Sequence, residues 1–487
     1  MSAKNAKLEN IFRGAAYGDF LFEPQFGIVK TRRVVDLTML LSRNLFIKTP
    51  IVGANMDTVT REKMMQTLSL EGCFGFLDRN CSIDDQVERV RFVKRQHAFV
   101  IENPIVLAKT NTIAEAKQFS KINNVSSILI EDKTGSKTLV GILSHRDILA
   151  AEGKSQQPIS NFMTPFPKLI VAKPNVSIIE AEKIMLDSRV EKLPLIDGAR
   201  QIRGLITMRD LRMVKQKPYS TKDKKGKLVV GAAVGAVGDF MDRSETLIKA
   251  GVDCILMDVA HAHSAVIKNA VRNFKSKFTE IDLVCGNIAT GSAAKFLIDL
   301  GVDAVKVGIG PGKGCRTRLE TGAGVPQIQA IRNVFLAIKN KVPIIADGGV
   351  NNDKDIFLAI AAGASTVMLG SMLSGTDEAP GILVEDPATK QKYKFYRGMT
   401  SPEAVVDGVV GDNFEKALGI PAEGQSSRAP YVGSVVDIIN RIRGHLQSAV
   451  SYAGEKDLYS AHKKISTSPE KYLIRLSEAA KRESFER

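Results

Sequence analysis

The chain alternates patterns of buried strands with patterns of helices along most of its length. Amphipathic stretches with apolar residues at i, i+3 and i+4 separate continuous apolar runs that are rich in β-branched residues. Continuous apolar runs joined by helices are typical of parallel strands that are buried on both faces. From residue 227 onward they predict six βα units, with strands in 227–235, 254–260, 283–289, 304–310, 342–349 and 366–373.

The N-terminal region adds two more strand patterns, at 49–56 and 72–80, with a helical pattern between them. After the second strand, Ser82 and Asp85 form a capping-box pattern at the start of another helix. Eight βα units predict an α/β fold, a (β/α)8 TIM barrel that is interrupted after its second unit. An open doubly wound sheet is the alternative, but the first βα turn has no G-x-G-x-x-G.

The interruption, roughly residues 100–216, contains an internal repeat. "VGILSHRDILA" (140–150) aligns with "RGLITMRDLRM" (203–213), and "NTIAEAKQF" (111–119) aligns with "VSIIEAEKI" (176–184). The similar offset of the two pairs indicates a duplicated unit. Each copy is predicted to form a strand, a helix, two strands and a helix, and each resembles a CBS (cystathionine-β-synthase-type) domain.

These patterns divide the chain into four segments. The predicted segments are 1–99, the first part of the barrel with two βα units; 100–157, the first CBS domain; 158–216, the second CBS domain; and 217–487, the second part of the barrel with six βα units, a flap at 400–422 and a C-terminal segment. No chemistry is assigned to the C-terminal segment.

Each CBS-like copy carries the pattern G-x-x-[ST]-x-x-D. The resemblance implies that the hydroxyl and carboxylate hold the phosphate and ribose of a regulatory purine nucleotide, ATP or GTP. The same spacing also fits a helix N-terminal cap with an acidic residue in the first turn, so both interpretations stay open. The residues concerned are Gly141, Ser144 and Asp147 in the first copy, and Gly204, Thr207 and Asp210 in the second.

Composition excludes several other classes of function. The net charge is +15, but the basic residues are spread along the chain and there is no tryptophan, so nucleic-acid binding is not favoured and anionic small ligands are. No apolar run is long enough to span a bilayer, and the first residues lack the apolar core of a signal peptide. We therefore expect a cytoplasmic protein without a membrane partner. Five cysteines without C-x-x-C spacing argue against a disulfide framework and a zinc site.

The cysteine that most invites a chemical interpretation is Cys315, in the Gly/Pro-rich loop "GIGPGKGCRTRLETGAGVPQ" (308–327). A thiol attacks as a thiolate, and nearby positive charge stabilises that form. Lys313, Arg316 and Arg318 supply such charge. Spacing alone leaves two alternatives open, a nucleophile on a ligand-binding loop or an ordinary loop cysteine.

Other polar and glycine residues follow the predicted strands. Parallel barrel strands place their carboxyl ends on one face, where catalytic groups gather. The residues at these ends are Asn55, Met56, Asp57, Asp258, His261, His263, Asn287, Asp347, Gly348, Gly349, Gly370 and Ser371. The two glycine-containing turns after the last strands suit a phosphate bound by backbone N–H groups, although Gly-Gly after a strand fits an ordinary turn equally well.

Several long motifs occur in order along the chain: "ANMDTVT", "VKVGIGPGKGCRTRLETGAGVPQ", "IIADGGV", "VMLGSMLSGT" and "YRGM" (396–399). Together with the barrel and its insertion, they resemble the IMP dehydrogenase/GMP reductase family. The resemblance implies a homo-tetramer or octamer that acts on GMP or IMP with NADPH or NAD.

The resemblance also implies roles for individual residues. Cys315 matches the cysteine that attacks carbon 2 of the purine and forms a thioimidate, Thr317 matches the threonine that handles water or ammonia, and Glu423 matches the glutamate that works with it. Asp258 and Asn287 match the cofactor side. The substrate contacts are assigned to Asn55, Met56, Gly312, Lys313, Asp347, Gly349, Gly370, Ser371, Tyr396, Gly398 and Met399. A potassium ion would be held by the carbonyls of Gly310, Gly312 and Cys315.

Two residues of the cysteine loop depart from the family pattern. Lys313 stands where the family commonly has a serine that contacts phosphate, and a lysine can replace that contact with a charge-assisted one. Arg316 replaces a small or apolar residue beside the nucleophile, and the sequence offers no physical reason for it.

The family contains two reactions that share the covalent adduct. A dehydrogenase oxidises IMP with NAD and hydrolyses the adduct to XMP, and the resemblance assigns the base to an Arg-Tyr pair on the flap. Residues 400–422 contain neither arginine nor tyrosine, which favours the reductase reaction: NADPH-dependent deamination of GMP to IMP and ammonia. The length of the flap and the CBS-like insertion favour the dehydrogenase. A non-catalytic purine nucleotide sensor is a third alternative, but Cys315, Thr317 and Glu423 argue against it.

Overall fold

The structure, a computed structural model, describes residues 11–95, 100–102, 104–123, 125–223, 226–408 and 423–485. These residues fall into two compact units. A barrel unit lies within Met1–Gln96, Tyr219–Asp223 and Leu228–Arg487, and an inserted unit lies within His97–Pro218 and Lys224–Lys227. The chain therefore leaves the barrel unit twice, for the long segment His97–Pro218 and for the short segment Lys224–Lys227, and returns to it each time.

The barrel unit is built on eight parallel strands that close on themselves. The strands are Ile51–Gly53, Phe74–Leu77, Gly231–Val234, Cys254–Asp258, Asp282–Ile288, Ala304–Val307, Ile344–Asp347 and Thr366–Leu369. Each pairs in parallel with the next, and the last pairs with the first. The predicted TIM barrel is confirmed; seven of its strands lie within the predicted runs, and the fifth begins one residue earlier than predicted, at Asp282.

A helix that packs on the outside follows each strand, which is why the strands are apolar on both faces. These helices are Glu62–Leu70, Ile83–Arg95, Phe240–Ala250, Ala265–Lys277, Gly291–Asp299, Gln327–Ile338, Asp353–Ala362 and Val435–Tyr452. The helix after the second strand begins as predicted, because the backbone N–H of Asp85 donates to Oγ of Ser82 at 3.1 Å.

Smaller elements decorate the barrel. They are the helices Thr317–Thr321, Ser371–Ser374, Pro402–Gly408, Leu458–Thr467 and Glu478–Phe485, the strand pairs Phe20–Phe22 with Leu473–Arg475 and Met39–Leu40 with Phe46–Ile47, and an antiparallel sheet of Val384–Glu385, Lys392–Arg397 and Ser426–Pro430. The predicted flap, 400–422, is described as far as residue 408, and 409–422 lies outside the described residues.

Both halves of the inserted unit contain a helix, two strands and a helix in that order, and the strand predicted before the helix is present in the first half but is only an isolated bridge, Ala172 with Leu195, in the second. The first half contains Val106–Ala108, Ile113–Asn123, Ser127–Glu131, Leu139–Ser144 and His145–Ala150, and the second contains Ile178–Asp187, Lys192–Ile196, Ile202–Thr207 and Met208–Gln216. Each half has its own apolar core, around Ile128, Ile130 and Leu143 in the first and around Leu193, Leu195 and Ile206 in the second. The assignment of these halves to CBS domains stays a prediction.

No helix in the described part of the chain has both the length and the apolar composition that a bilayer crossing requires.

One buried histidine gives the barrel unit a testable pH dependence. His462 lies in the helix Leu458–Thr467, is 4% exposed and has no hydrogen-bond partner for Nε2 among the described residues. Burial lowers its pKa to about 4, although a hydrogen bond with the backbone of Gly363 acts in the opposite direction. As the pH falls below the unfolded value near 6.5, the unfolded chain takes up a proton that the folded chain does not, so stability is lost with acidification.

We expect this histidine to contribute a loss of about 3 kcal/mol in the free energy of unfolding between about pH 7 and pH 4, and His462→Leu to remove most of that contribution. Urea unfolding at several pH values measures the difference between the two proteins. The control is His261→Leu, since His261 is exposed on the same barrel unit. Identical slopes of stability against pH in wild type and His462→Leu would contradict the expectation.

Candidate active site

A cavity of about 440 Å³ opens at the carboxyl ends of the barrel strands, and we call it the catalytic cavity. All of the substrate, cofactor and catalytic residues predicted for the barrel line it: Asn55, Met56, Asp258, Asn287, Gly312, Lys313, Cys315, Thr317, Asp347, Gly349, Gly370, Ser371, Tyr396, Gly398, Met399 and Glu423. Asp57, His261 and His263, which also follow strands, are not among its lining residues. The structure therefore brings the predicted residues together, and their individual roles remain predictions.

A thiol, a hydroxyl and a carboxylate form a chain of contacts in this cavity. Sγ of Cys315 lies 3.2 Å from Oγ1 of Thr317, and that hydroxyl donates to Oε2 of Glu423 at 2.8 Å. Thr317 begins the short helix Thr317–Thr321. A hydroxyl held between a nucleophile and a carboxylate can move a proton to or from a group bound at the sulfur.

Cys315 differs from the other cysteines in its surroundings. It is partly exposed in the cavity wall, whereas Cys73, Cys254 and Cys285 are buried and Cys81 lies outside the cavity. Burial raises the pKa of Cys285 to about 12 and raises the pKa of Cys254 as well. Thiolate formation is therefore disfavoured at these buried positions.

Short backbone contacts fix Glu423 beside the cysteine loop. The N–H of Arg316 donates to the carbonyl of Glu423 at 2.7 Å, and the N–H of Gln425 donates to the carbonyl of Gly314 at 3.0 Å. The side chain of Gln425 donates to the carbonyl of Lys313 at 2.9 Å. The segment 423–425 thus lies antiparallel to the loop and carries its carboxylate to the hydroxyl of Thr317.

The contacts of Arg316 supply the physical reason that the sequence could not. Its guanidinium pairs with Glu320 at 2.7 Å and donates to Oε1 of Gln425 at 3.4 Å. Arg316 therefore joins the short helix after the cysteine to the segment that bears Glu423. Lys313, unlike Arg316, is exposed at the rim of the cavity.

Two glycines occupy positions in the cavity wall where another residue would clash or be strained. A Cβ on Gly398 would lie 2.3 Å from the carbonyl oxygen of Gly314, so no side chain fits between the cysteine loop and the "YRGM" segment. Gly349 has φ +78°, a left-handed conformation that glycine adopts without strain, in the turn after Asp347.

An ion cluster that the sequence did not predict forms the floor of the cavity. Nζ of Lys306 lies 2.9 Å from Oδ1 of Asp258 and 2.7 Å from Oδ2 of Asp347, and it also donates to Oδ1 of Asn287. Nδ2 of Asn287 donates to the same Oδ2 of Asp347 at 2.9 Å, and Nδ2 of Asn55 donates to Asp258 at 2.9 Å. Four of the predicted substrate and cofactor residues, Asn55, Asp258, Asn287 and Asp347, thus belong to one hydrogen-bonded network with Lys306.

The charges of this cluster support one another. Burial by itself raises the pKa of Asp258, but the Lys306 ammonium and its hydrogen bonds outweigh burial and bring that pKa below its ordinary value. Burial likewise lowers the pKa of Lys306, and the two carboxylates outweigh it and raise the pKa. Both groups are therefore charged at neutral pH.

A second ion pair outside the lining residues holds the "YRGM" segment in place. Asp57 is buried after the first barrel strand and accepts hydrogen bonds from Nη2 of Arg397 at 2.6 Å and from Asn80 at 3.0 Å. Oη of the neighbouring Tyr396 lies 3.7 Å from Sδ of Met56. This pairing explains how residues far apart in sequence line one wall.

In the inserted unit, both G-x-x-[ST]-x-x-D patterns form helix caps. Oγ of Ser144 accepts from the N–H of Asp147 at 3.3 Å, and Oγ1 of Thr207 accepts from the N–H of Asp210 at 3.2 Å. The helix-cap alternative is therefore observed, while nucleotide binding by the same residues stays a prediction.

The predicted ion site likewise stays a prediction. No cluster of three or more His, Cys, Asp or Glu side chains suited to a metal occurs among the residues that the structure describes. Potassium at the carbonyls of Gly310, Gly312 and Cys315 stays a prediction, and the Gly312 carbonyl accepts a hydrogen bond from the N–H of Cys315 at 3.0 Å.

One known protein family matches this chain over most of its length. The family description "IMP dehydrogenase / GMP reductase domain" matches residues 14–486, nearly the whole chain. The chain belongs to this family. The resemblance drawn from the sequence motifs is thus confirmed at the level of the family, which comprises oxidoreductases that act on purine nucleotides with nicotinamide nucleotide cofactors.

Relatives within the family carry two different names. The inosine-5'-monophosphate dehydrogenase of Nitrosopumilus maritimus is 40% identical over 447 residues, covering 91% of this chain and 92% of that protein, and the one from Aquifex aeolicus is 38% identical, covering 98% and 96%. A solved cysteine-to-alanine variant of the GMP reductase of Trypanosoma brucei, in complex with guanosine 5'-monophosphate, is 35% identical with a TM-score of 0.85, covering 96% of each chain. Similarity alone does not choose between the two reactions.

Proposed function

We propose that the chain is a GMP reductase that converts GMP to IMP and ammonia with NADPH. The observation that carries the proposal is the chain of contacts from Cys315 through Thr317 to Glu423, taken with a flap sequence, 400–422, that has no arginine and no tyrosine. The relay can serve the departure of ammonia, whereas hydrolysis of the adduct requires a base that activates water.

The proposed reaction uses the cavity residues in two steps. The sulfur of Cys315 forms a bond to carbon 2 of the purine, and the amino group at that carbon leaves as ammonia after receiving a proton through Thr317 and Glu423. NADPH supplies, when bound, the hydride that carbon 2 accepts. The carbon–sulfur bond then breaks, and the thiolate of Cys315 is regenerated as IMP forms.

The cavity is lined by two strand-end carboxylates that could each serve one nucleotide. Asp347 is followed by the glycine turn at Gly349, and Asp258 is followed by Val259 and Ala260. The carboxylates of Asp347 and Asp258 are suited to accept hydrogen bonds from ribose hydroxyls. On this proposal the purine nucleotide is held by Asp347 and the cofactor by Asp258.

IMP dehydrogenase is the second candidate. The names of the curated relatives at 38–40% identity favour it. The same cysteine would then form the adduct from IMP with loss of a hydride to NAD, and water would release XMP. This alternative needs a base for that water other than the Arg-Tyr pair that the family resemblance assigns to the flap, because 400–422 contains neither residue type.

Trapping the adduct separates the two. With GMP and NADP⁺, which has no hydride to give, we expect mass spectrometry to find a purine adduct on Cys315 and an assay to detect about one ammonia per active site. Failure to release ammonia, while IMP and NAD⁺ give the adduct together with NADH, would contradict the reductase proposal. A chain that forms no adduct with either nucleotide would favour the non-catalytic sensor.

Replacement of the charged rim residue Lys313 is expected to have a smaller effect, on KM for GMP. We expect Lys313→Ser to raise KM for GMP by about 3- to 10-fold and to weaken the dependence of KM on ionic strength, because an exposed ammonium attracts the phosphate of the substrate. Steady-state kinetics at low and high salt measure both changes. Lys341→Ser, at the opposite end of the barrel strand Ile344–Asp347, is the control. Equal salt dependence in Lys313→Ser and wild type would contradict this role.

We also propose that the inserted unit binds a regulatory purine nucleotide. A cavity of about 580 Å³ in this unit is lined by four basic residues and one acidic residue: Lys117, Lys121, His145, Arg209 and Glu152. His145 follows Ser144 directly and Arg209 lies two residues after Thr207, although Ser144, Asp147, Thr207 and Asp210 are not themselves among the lining residues. Cationic lining favours an anionic ligand. A GMP reductase of Trypanosoma brucei that is 32% identical, with a TM-score of 0.76 and 95% of this chain and 97% of that one covered, has been solved in complex with guanosine 5'-triphosphate.

Calorimetry on the full chain tests this regulatory site. We expect GTP or ATP to release measurable heat, to change turnover or the tetramer-to-octamer equilibrium, and to bind about tenfold more weakly when Asp147→Asn and Asp210→Asn are combined. The absence of heat with either nucleotide, under conditions in which the barrel is active, would contradict the proposal.

A further inference from the structure

Lys306 is the one buried cation of the cavity floor among the described residues that line the cavity. Its side chain is 3% exposed, and it lies within the sixth barrel strand, Ala304–Val307, whose other residues are apolar. A buried lysine is costly unless its charge is neutralised. Lys306 therefore requires partners that neutralise its charge.

The partners of Lys306 come from strands on either side of its own strand in the barrel order. Asp258 ends the fourth barrel strand and Asp347 ends the seventh, and the ammonium lies 2.9 Å from the first carboxylate and 2.7 Å from the second. Asn287, from the end of the fifth strand, contacts both Lys306 and Asp347. One cation therefore joins three strand ends.

The pattern of hydrogen bonds leaves capacity for ligands. Lys306 and Asn287 both bind Oδ2 of Asp347, and Lys306 binds Oδ1 of Asp258. None of the hydrogen bonds described for Asp347 involves its other oxygen, Oδ1, so that atom is able to accept from a ribose hydroxyl. A cation that uses one oxygen of a carboxylate also orients the other.

We infer that Lys306 is a positioning residue that pairs with and orients the substrate-side carboxylate of Asp347 and the cofactor-side carboxylate of Asp258, so that one buried ammonium supports the binding of both nucleotides. The inference rests on the proposed assignment of the two carboxylates to the two nucleotides. Lys306 itself does not need to touch either nucleotide.

Removal of the ammonium changes the protonation of the pair. Without Lys306, two nearby carboxylates remain in a buried site, and like charges together with burial raise the pKa of at least one of them. The titratable groups that act on this cluster are Arg79, Cys285, Tyr17 and Tyr396. Of these, Arg79 alone is a cation, and it is exposed, so the described groups offer no buried replacement for the lost charge.

Lys306→Met is the test, assayed with whichever nucleotide pair the wild-type protein turns over. We expect KM for both nucleotides to rise by about tenfold or more, with a smaller fall in kcat, because binding contacts are lost. We also expect kcat/KM of the variant to fall more steeply than that of the wild type as the pH is lowered, because like charge and burial raise the pKa of the carboxylate pair that is left without its cation.

Lys94→Met is the matched control. Lys94 is also buried and also lies between two aspartates, 2.8 Å from Asp223 and 2.7 Å from Asp253, but it lies outside the catalytic cavity. We expect this variant to lose stability without a change in either KM or in the pH profile. A Lys306→Met protein with the KM values and pH profile of Lys94→Met would overturn the inference.

A double variant keeps the test decisive if Lys306→Met does not fold. Lys306→Met combined with Asp258→Asn removes one charge of each sign but leaves Asp347 without the cation that orients it, so we expect KM for both nucleotides to stay raised. A folded double variant with a KM for the purine nucleotide within a few-fold of wild type would overturn the inference. Because the assay accepts either nucleotide pair, a KM effect seen with IMP and NAD⁺ would support Lys306 and contradict only the reductase proposal.

Discussion

Cys315→Ala is expected to reduce turnover by at least about 10⁴-fold, because the variant has no sulfur to form the bond to carbon 2 of the purine. The fold should not change, since the side-chain contact of the thiol is with Thr317 in an open cavity wall. Nucleotide binding should persist, because the predicted phosphate and ribose contacts are on other loops. Steady-state kinetics and calorimetry with GMP measure the two effects separately.

Cys81→Ala is the control for this change. Cys81 is also partly exposed but lies outside the catalytic cavity, where its sulfur contacts the carbonyl of Asp78. We expect this variant to retain turnover within a few-fold of wild type. Turnover that survives in Cys315→Ala would contradict a covalent mechanism for either direction of the reaction.

The second large effect is expected for Glu423→Gln, with a fall in kcat of about 10²- to 10³-fold. The amide has nearly the same shape but cannot exchange a proton with the hydroxyl of Thr317, which now donates to the carboxylate at 2.8 Å. KM for GMP should change little, because the backbone bond from Arg316 to the carbonyl of residue 423 is retained. Rapid-quench measurement of ammonia release locates the slowed step.

Glu320→Gln provides a nearby comparison. Glu320 pairs with Arg316 on the same short helix but does not contact Thr317. We expect kcat of this variant to remain within a few-fold of wild type. If Glu320→Gln and Glu423→Gln lowered kcat equally, the effect would come from the position of the loop rather than from proton transfer.

The sequence predicted the barrel well because the physical signal is local. Strands buried on both faces must be continuous apolar runs, and each was followed by a helical pattern, so counting them gave the architecture. The rule that parallel strands gather their carboxyl ends then placed Asp258, Asn287 and Asp347 on one face. The structure agrees with both steps.

The remaining parts of the site depend on contacts between residues far apart in sequence. Lys306 is one polar residue in an apolar strand, and only the barrel shows that it faces two carboxylates. Thr317 and Glu423 are separated by 106 residues, and the pairing of Arg397 with Asp57 spans 340. No local pattern encodes such pairs, although a lysine inside an otherwise apolar strand is itself an available signal.

The direct measurement of the central claim is turnover of the purified full chain with each pair of nucleotides in parallel. The account predicts consumption of NADPH with GMP, with IMP and ammonia formed in equal amounts, and no XMP from IMP and NAD⁺. Formation of XMP and NADH from IMP and NAD⁺, without oxidation of NADPH by GMP, would contradict it and identify the chain's reaction as that of a dehydrogenase.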